Sequence, residues 1–328
     1  MKRLLIVAAG LGLLLAVAII AKEGVGAVAL AFVAVGSLGI AAVIVLRVVE
    51  LAFAGAGWWL IFPARANASL AACIWVRLIR EAINVLLPVG QIGGEVAGAR
   101  VMTFFHIPVG LAGATVLADM LMQVVALFLF VVVGIAILAG QGADDGLLSM
   151  AVSGAAIMSV LLLGFFAVQR FGGMKLVDRG LMKLADRFGW SSLVSLATLH
   201  DNLVRIYADL PRFAVAMVVH IAVWFIGAFE VLVALRLMGY SVGFADAVVI
   251  ESLGHAVRAA AFLVPGALGV QEAGFIVLGA IYGIPPAAAV ALSLVKRVPD
   301  LVIGVPFLFV WHAHEARALT RRKQARRT

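Results

Sequence analysis

Long apolar segments alternate with short polar ones along this chain of 328 residues, and the apolar segments set the predicted architecture. A helix needs roughly 20 apolar residues to cross the hydrocarbon core of a membrane, which is about 30 Å thick. Apolar runs of that length predict about six membrane-spanning helices in an all-α polytopic membrane protein. Their approximate bounds are residues 4–21, 37–62, 109–139, 147–168, 212–238 and 286–311.

Two other segments, 66–106 and 243–284, are too interrupted for one helix and too apolar for an exposed loop. Each predicts a hairpin of two short helices. Exposed irregular backbone is not tolerated in lipid, so the tip of each hairpin must be buried in protein or line a wet cavity. The residues expected at these tips are Pro88, Gly93 and Gly94 in the first hairpin and Pro265, Gly266 and Gly269 in the second.

The basic residues predict how the chain is oriented. They gather at the N-terminus, at Arg65, within residues 169–190 and in the tail at 313–328, whereas the opposite loops are short and acidic or neutral. Because lysine and arginine mark the cytoplasmic side, both termini are expected in the cytoplasm and the two hairpins are expected to enter from opposite faces. The first apolar run is long and lacks a clear cleavage site, so it is interpreted as an uncleaved span.

An internal repeat supports this arrangement. Pro88, Glu95 and Pro108 recur 177 residues later as Pro265, Glu272 and Pro285, and at the same shift Asp119 is replaced by Lys296. The repeats are expected at about 37–139 and 212–312, within one transmembrane domain that covers 1–328. Inverted-topology repeats with broken helices are associated with secondary transporters.

Composition agrees with a chain that is almost entirely embedded in a membrane. Hydrophobic residues make up 65% of it, charged residues 13%, and the mean hydropathy is +1.16. The net charge of +8 is explained by basic residues that flank the spans, not by nucleic-acid binding. A single cysteine, Cys73, excludes an internal disulfide and a multi-cysteine metal site, and no histidine spacing suggests a metal, so no cofactor is expected.

Ionisable residues at membrane depth cost about 2.5–3.5 kcal/mol each and are functional candidates by default. The alternatives are a structural lattice of ion pairs and, for Arg77 and Arg100, anchoring at the membrane interface. The candidate substrate-binding or coupling residues are Arg80, Glu81, Asn84, Glu95, Asp119, Glu251, Arg258, Glu272, Lys296, Arg297 and Asp300.

Glu95 and Glu272 each follow a break and begin a half-helix, whose positive N-terminal end favours an acid. Either residue could cap free backbone N–H groups, or it could bind a proton or a substrate. The sequence leaves both interpretations open.

Several other features have simpler expected roles. Segment 24–35 predicts a short helix at the outer surface, and 191–211 predicts an amphipathic helix on the membrane surface. Arg47 and Glu50 are expected to neutralise each other, and Glu230 is expected to pair with one of the charged groups. His106 and His220 are expected to be interfacial or core residues. Trp58 and Trp59 are expected to lie in an interfacial aromatic belt.

Three segments carry a family resemblance: 79-IREAINVLLPVGQIGGE-95, 117-LADM-120 and 260-AAFLVPGALGVQEAGF-275. They resemble the flippase-like transmembrane domain of the lysylphosphatidylglycerol synthase family, and are most similar to its stand-alone branch associated with hopanoid biosynthesis. The resemblance implies lipid translocation in a bacterial inner membrane, no attached aminoacyl-transferase domain, and hopanoids as candidate cargo. Gln91 stands where a basic residue is expected, which leaves the charge of the cargo open.

The leading functional hypothesis is a lipid transporter or flippase that works by alternating access, with one acid coupling movement to protons. Unpaired arginines would favour an anionic phospholipid or polyprenyl phosphate, because guanidinium binds phosphate bidentately, whereas paired arginines would favour a neutral hopanoid. The expected partners are membrane lipids and other proteins of lipid biosynthesis. The alternatives are a scaffold in lipid biosynthesis and a membrane-embedded enzyme that uses Glu95 and His255, although no nucleophile or metal set accompanies them.

Overall fold

The computed structural model describes residues 14, 17–87, 92–142, 145–170, 196–260, 264 and 267–325. Within these ranges the chain forms helices joined by turns and no β-strand. An all-α membrane protein, as the apolar runs predicted, fits this architecture. Pro88, Gln91, Pro265 and Gly266 lie outside the described residues.

The described helices follow the predicted segments closely. In chain order they are α1 (Val17–Glu23), α2 (Val25–Ala34), α3 (Gly36–Ile61), α4 (Leu70–Leu86), α5 (Gly93–Met102), α6 (Val109–Gly140), α7 (Asp145–Arg170), α8 (Leu196–Ala208), α9 (Leu210–Leu237), α10 (Phe244–Ala260), α11 (Val270–Ile281) and α12 (Pro286–Ala325).

Three of the described helices, α3, α6 and α9, are long and apolar enough to cross a membrane. A fourth span results if α1 and α2, which meet at an angle of 90°, are counted as one. The predicted spans 147–168 and 286–311 do form single helices, α7 and α12. Neither α7 nor α12 is among the helices that are apolar enough over a full span, and most of the predicted span 4–21 lies outside the described residues, so the number six stays a prediction.

Both interrupted segments form helical hairpins. In the first, α4 is capped by Ser69, whose hydroxyl accepts the N–H of Ala72 at 3.1 Å, and α4 packs against α5. In the second, α10 packs against α11. The predicted bounds 66–106 and 243–284 therefore each enclose a pair of short helices in contact.

The helix starts recur at the spacing of the predicted internal repeat, while the inverted-topology repeat itself stays a prediction. The starts of α5 and α6, Gly93 and Val109, become Val270 and Pro286 of α11 and α12 after the same shift of 177 residues. We call α3–α6 the first half and α9–α12 the second half. The first helix of each hairpin packs against the last helix of the other half, α4 on α12 and α10 on α6, while α3 packs along α9. The orientation of the halves relative to the membrane stays a prediction.

The amphipathic segment before α9 is helical in its described part, α8. Leu199, Leu203 and Ile206, which are spaced four and three apart, are buried, and α8 packs against α6. Such spacing places apolar side chains on one helical face. The predicted helix is thus confirmed for residues 196–208.

Candidate functional site

Arg80 of the first hairpin is fully buried, and its guanidinium joins three helices. It forms ion pairs with Glu95 of α5 and with Asp119 of α6, the latter at 2.7 Å. The guanidinium also lies 4.7 Å from the centre of the Trp58 ring on α3, a cation–π contact. A buried charge is tolerated only when it is well paired, and here two carboxylates and an aromatic face surround one cation.

The position of Trp58 corrects the sequence analysis. Its side chain is fully buried beneath Arg80, so the prediction that it lies in an interfacial aromatic belt is wrong. The negative face of the aromatic ring instead attracts a desolvated cation electrostatically. Its neighbour Trp59 is half-buried, and its indole N–H donates to the carbonyl of Ala68 at 2.8 Å.

Glu95 directs its carboxylate into the protein. Besides the Arg80 pair, its Oε1 accepts a hydrogen bond from Asn84 Nδ2 at 3.2 Å. The Asn84 carbonyl in turn accepts the N–H of Gly94, at the start of α5, at 2.7 Å. Asn84 therefore serves the helix end, and of the two interpretations of Glu95 these contacts favour a group that faces the polar interior.

Gly98 explains how α5 approaches Arg80 so closely. A Cβ added at this glycine would lie 2.6 Å from both Cγ and Cδ of Arg80. The absence of a side chain therefore leaves room for the stem of the arginine. The glycine in the sequence thus allows α5 to pack closely on α4, and this packing determines where the buried charge of Arg80 lies.

Asp119 contacts side chains from α4, from its own helix α6 and from α9. Besides Arg80, its Oδ2 accepts from Gln123 Nε2 at 2.8 Å, and its Oδ1 lies 2.9 Å from His220 Nε2 on α9. Both side chains, Asp119 and His220, are buried. The sequence analysis treated His220 as a core or interfacial residue and missed this contact, although an ionisable side chain inside an apolar span was a signal for it.

The two nitrogens of His220 face two acceptors. Nδ1 lies 2.8 Å from the carbonyl oxygen of Ala216, which cannot donate. Nε2 faces Asp119 Oδ1, which cannot donate either when the carboxyl is ionised. Both contacts are hydrogen bonds only if the Asp119–His220 pair holds one proton more than a neutral imidazole and a carboxylate.

Glu272 of the second hairpin caps a helix with one carboxylate oxygen and faces other polar side chains with the second. Its Oε2 accepts the N–H of Gly269 at 2.7 Å, which stabilises the start of α11. Its Oε1 accepts from Ser293 Oγ at 2.9 Å and from Arg297 at 2.9 and 3.1 Å. The cation that faces this hairpin acid therefore comes from α12, whereas Glu95 receives Arg80 from its own hairpin.

Lys296 is the centre of another group in the second half. Its Nζ lies 2.9 Å from Glu251 Oε1 and 3.4 Å from Glu230 Oε1. His255 Nε2 approaches the same Glu251 oxygen at 3.1 Å. The expectation that Glu230 pairs with a charged group is confirmed, and Lys296 and Asp119 each organise a cluster in their own half.

Arg47 has a larger role than expected. It contacts Glu50 at 2.9 Å, as predicted, but also Glu81 at 2.8 Å and Asp300 at 3.3 Å. These partners lie on α3, α4 and α12. One arginine thus links both halves of the molecule.

Arg77 connects these groups to Asp119. Its guanidinium lies 3.5 Å from Glu81 and 3.9 Å from Asp119, and it donates to Gln123 at 3.1 Å. Its side chain is only 13% exposed, so interfacial anchoring does not describe its position.

Arg100 is also buried, with Glu315 at 3.8 Å and the Phe104 ring at 5.0 Å.

The ionisable groups of these ion-pair clusters, which we call the charged interior, include more carboxylates than cations among the described residues. The carboxylates are Glu50, Glu81, Glu95, Asp119, Glu230, Glu251, Glu272 and Asp300; the cations are Arg47, Arg77, Arg80, Lys296 and Arg297.

Arg258 differs from these arginines. In the described part of the chain its guanidinium forms no ion pair within 4.0 Å, and it donates to Gln271 Oε1 at 3.5 Å. The cleft beside Arg47, Glu81 and Asp300 has a volume of about 10 Å³. That is room for about one water molecule, so this part of the charged interior is closed by its own ion pairs.

The comparison with known families agrees with this geometry. Residues 3–306 match the family described as the lysylphosphatidylglycerol synthase TM region. No curated protein and no solved structure matches the chain. The match indicates a multi-pass membrane protein with a lipid-related function, while the hopanoid-associated branch stays a prediction. Since it covers nearly the whole chain, this protein belongs to the lysylphosphatidylglycerol synthase transmembrane-region family.

Proposed function

We propose that this protein is a proton-coupled lipid transporter that moves its cargo across or out of a bacterial inner membrane. The observation that carries the proposal is the fully buried Arg80, held between the hairpin acid Glu95 and Asp119. Desolvating such a group is costly, and a protein that needed only stability could use apolar packing instead. Membership of a family with a lipid-related function supplies the class of cargo.

The contacts between the halves support alternating access. Three charged contacts cross between them, Arg47 to Asp300 at 3.3 Å, Asp119 to His220 at 2.9 Å and Arg100 to Glu315 at 3.8 Å. Rocking one half against the other, as in transporters with inverted repeats, would part these contacts and open the charged interior. A lipid head group would then enter laterally while its tails stay in the bilayer.

The pairing of the arginines bears on the cargo. Arg47, Arg77, Arg80 and Arg297 all face carboxylates, and an anionic head group would have to displace those acids. A neutral, polyhydroxylated head group can instead insert among paired charges through hydrogen bonds. We therefore favour a hopanoid over an anionic phospholipid or polyprenyl phosphate, with Arg258 as the arginine that meets the cargo.

Proton coupling is assigned to Asp119 and His220. The pair joins α6 of the first half to α9 of the second half, and both bonds of His220 require an additional proton. Loss of that proton leaves an imidazole lone pair facing an acceptor, which weakens the contact between the halves. Protonation and opening are thereby linked.

We propose no catalytic role. The acid–base pair that an enzyme would use, Glu95 and His255, is engaged in separate clusters, one with Arg80 and Asn84 and the other with Glu251. Neither arrangement positions a nucleophile beside an acid or base.

The test is lipid movement in proteoliposomes that contain labelled hopanoid, phosphatidylglycerol or polyprenyl phosphate in one leaflet. The purified protein should accelerate movement of the hopanoid most, and Glu95→Gln and Glu272→Gln should slow it by about tenfold or more, a change of roughly 1.4 kcal/mol in the barrier. Normal transport in both folded variants would show that the hairpin acids have no role in transport.

A further inference from the structure

A cavity of about 670 Å³ lies outside the charged interior and shares no lining residue with it. It is formed by the end of α3, the turn that follows, α8 and the start of α9. Both α3, which ends at Ile61, and α9, which begins at Leu210, are long and apolar enough to cross a membrane. Because the ends of a spanning helix lie near the membrane surface, we expect this cavity at the depth of lipid head groups.

Three arginines line this cavity, Arg65, Arg205 and Arg212, together with one acid, Asp209. The Asp209 carboxylate accepts the backbone N–H of Arg212 at 3.4 Å and so stabilises the start of α9. Among the described residues, none of the three arginines lies within ion-pair distance of a carboxylate. The cavity thus carries positive charge that the described part of the chain does not neutralise.

Arg212 provides a second and independent sign of a ligand. Its Nη1 is buried and has no hydrogen-bond partner among the described residues. Buried charged donors are normally satisfied, and this one faces a cavity that has room for an acceptor from outside the described residues. A guanidinium supplies paired N–H donors whose geometry matches phosphate oxygens.

The rest of the wall is apolar. Leu60, Phe62, Leu111, Ile206 and Phe213 line the same cavity. A soluble phosphate would not contact these apolar side chains favourably, whereas a phospholipid carries both a phosphate and an acyl chain that can. Arg65 also follows the α3 span on the side that the basic residues mark as cytoplasmic, where anionic lipids are concentrated.

We propose that this cavity binds one anionic phospholipid of the cytoplasmic leaflet. Arg205 and Arg212 hold its phosphate, Arg65 lies near the head group, and the apolar wall contacts the first part of its chain. The bound lipid would fix α8 against the ends of α3 and α9. This inference does not depend on what the charged interior transports.

The test uses the purified full-length protein with phosphatidylglycerol and with phosphatidylcholine of the same chain length, and lipid retention is measured by native mass spectrometry. We expect preferential retention of phosphatidylglycerol and a loss of about threefold or more in affinity for Arg212→Gln and Arg205→Gln, since each removes charge-assisted bonds to phosphate. The matched control is Lys22→Gln, which removes one exposed positive charge on α1 and should retain the lipid as the parent does.

Arg205 is exposed, so its variant remains informative if Arg212→Gln does not fold. Equal retention of the two lipids, or equal retention of phosphatidylglycerol by all variants, would overturn the proposal. Millimolar inorganic phosphate should not displace the lipid. Displacement by phosphate alone would identify a soluble anion as the ligand and contradict a lipid site.

Discussion

Asp119 and His220 form a contact of 2.9 Å that joins the two halves of the molecule. Asp119 belongs to α6, where Arg80 and Gln123 also hold it, and His220 belongs to α9, where the Ala216 carbonyl holds its other nitrogen. Packing therefore places an imidazole and a carboxylate at the junction between the two halves. In the proposed transport cycle, opening of the halves and protonation would change this same contact.

Replacing His220 by glutamine should keep the hydrogen bond to Asp119 but remove the group that can gain and lose a proton. The amide can still donate to Asp119 but has no proton to gain or lose in the physiological range. We expect folded protein whose transport rate varies less with pH between about 5 and 8 than that of the parent. The measurement is lipid movement in liposomes buffered across that range.

The matched control for that series is His312→Gln, which alters an exposed histidine on α12. Its pH profile should follow the parent. A His220→Gln profile that also follows the parent would remove His220 from the coupling mechanism.

Removing the Arg80 charge should destabilise the protein strongly. Arg80→Gln leaves Glu95 and Asp119 buried without their cation, and breaking a buried ion pair from one side costs about 3–5 kcal/mol. Arg80→Lys should lie between this variant and the parent, because a single ammonium cannot reproduce the planar guanidinium against the Trp58 ring. The measurement is the free energy of unfolding of the parent, Arg80→Gln and Arg80→Lys in a denaturant series.

A charge-matched control for that comparison is Lys22→Gln, since Lys22 is exposed. It should change the unfolding free energy by less than about 0.5 kcal/mol, as is usual for surface substitutions. A loss no larger for Arg80→Gln than for Lys22→Gln would be inconsistent with a buried ion pair at Arg80.

The close approach of α5 to α4 can be tested at Gly98. Gly98→Ala would place a methyl group 2.6 Å from the Arg80 stem, and overpacking of this kind typically costs about 1–3 kcal/mol. The control is Gly154→Ala on α7, where a Cβ meets nothing within 4 Å. There alanine should stabilise the helix by up to about 1 kcal/mol, so the two variants should shift the unfolding midpoint in opposite directions.

The link between Arg47 and Asp300 is suited to a double-mutant cycle. The two residues are separated by 253 positions and lie on different halves, with side chains that are 13% and 9% exposed. We expect a coupling energy of about 0.5–3 kcal/mol between Arg47→Gln and Asp300→Asn, as for residues that share an ion-pair network. Arg47→Gln paired with the distant Asp246→Asn serves as the additive reference. A cycle with no coupling would mean that Arg47 and Asp300 do not hold the halves together.

Much of the helical architecture could be predicted from the sequence. The apolar runs 109–139 and 212–238 correspond to α6, Val109–Gly140, and α9, Leu210–Leu237, because a helix in an apolar run begins and ends where polar or helix-breaking residues appear. The shift of 177 residues also located the equivalent helix starts. These features depend on local composition, which a single sequence displays directly.

The partners of the charged residues could be predicted only in part. Spacing along one helix identifies the Arg47–Glu50 pair, but Arg47 also meets Glu81 and Asp300 on other helices. The His220–Asp119 contact joins residues 101 positions apart, and the burial of Trp58 depends on α4 lying across it. Such contacts follow from how helices pack, and local pattern does not determine which helix faces which.

The most direct test of proton-coupled lipid transport is simultaneous measurement of lipid and proton movement in sealed proteoliposomes. With a pH gradient imposed, the parent protein should move labelled hopanoid and carry protons in step with it, and Asp119→Asn should lose both, because an amide cannot hold the proton shared with His220. Lys22→Gln should behave as the parent. Hopanoid movement that is equally fast with and without the gradient, and equally fast in Asp119→Asn, would contradict the account.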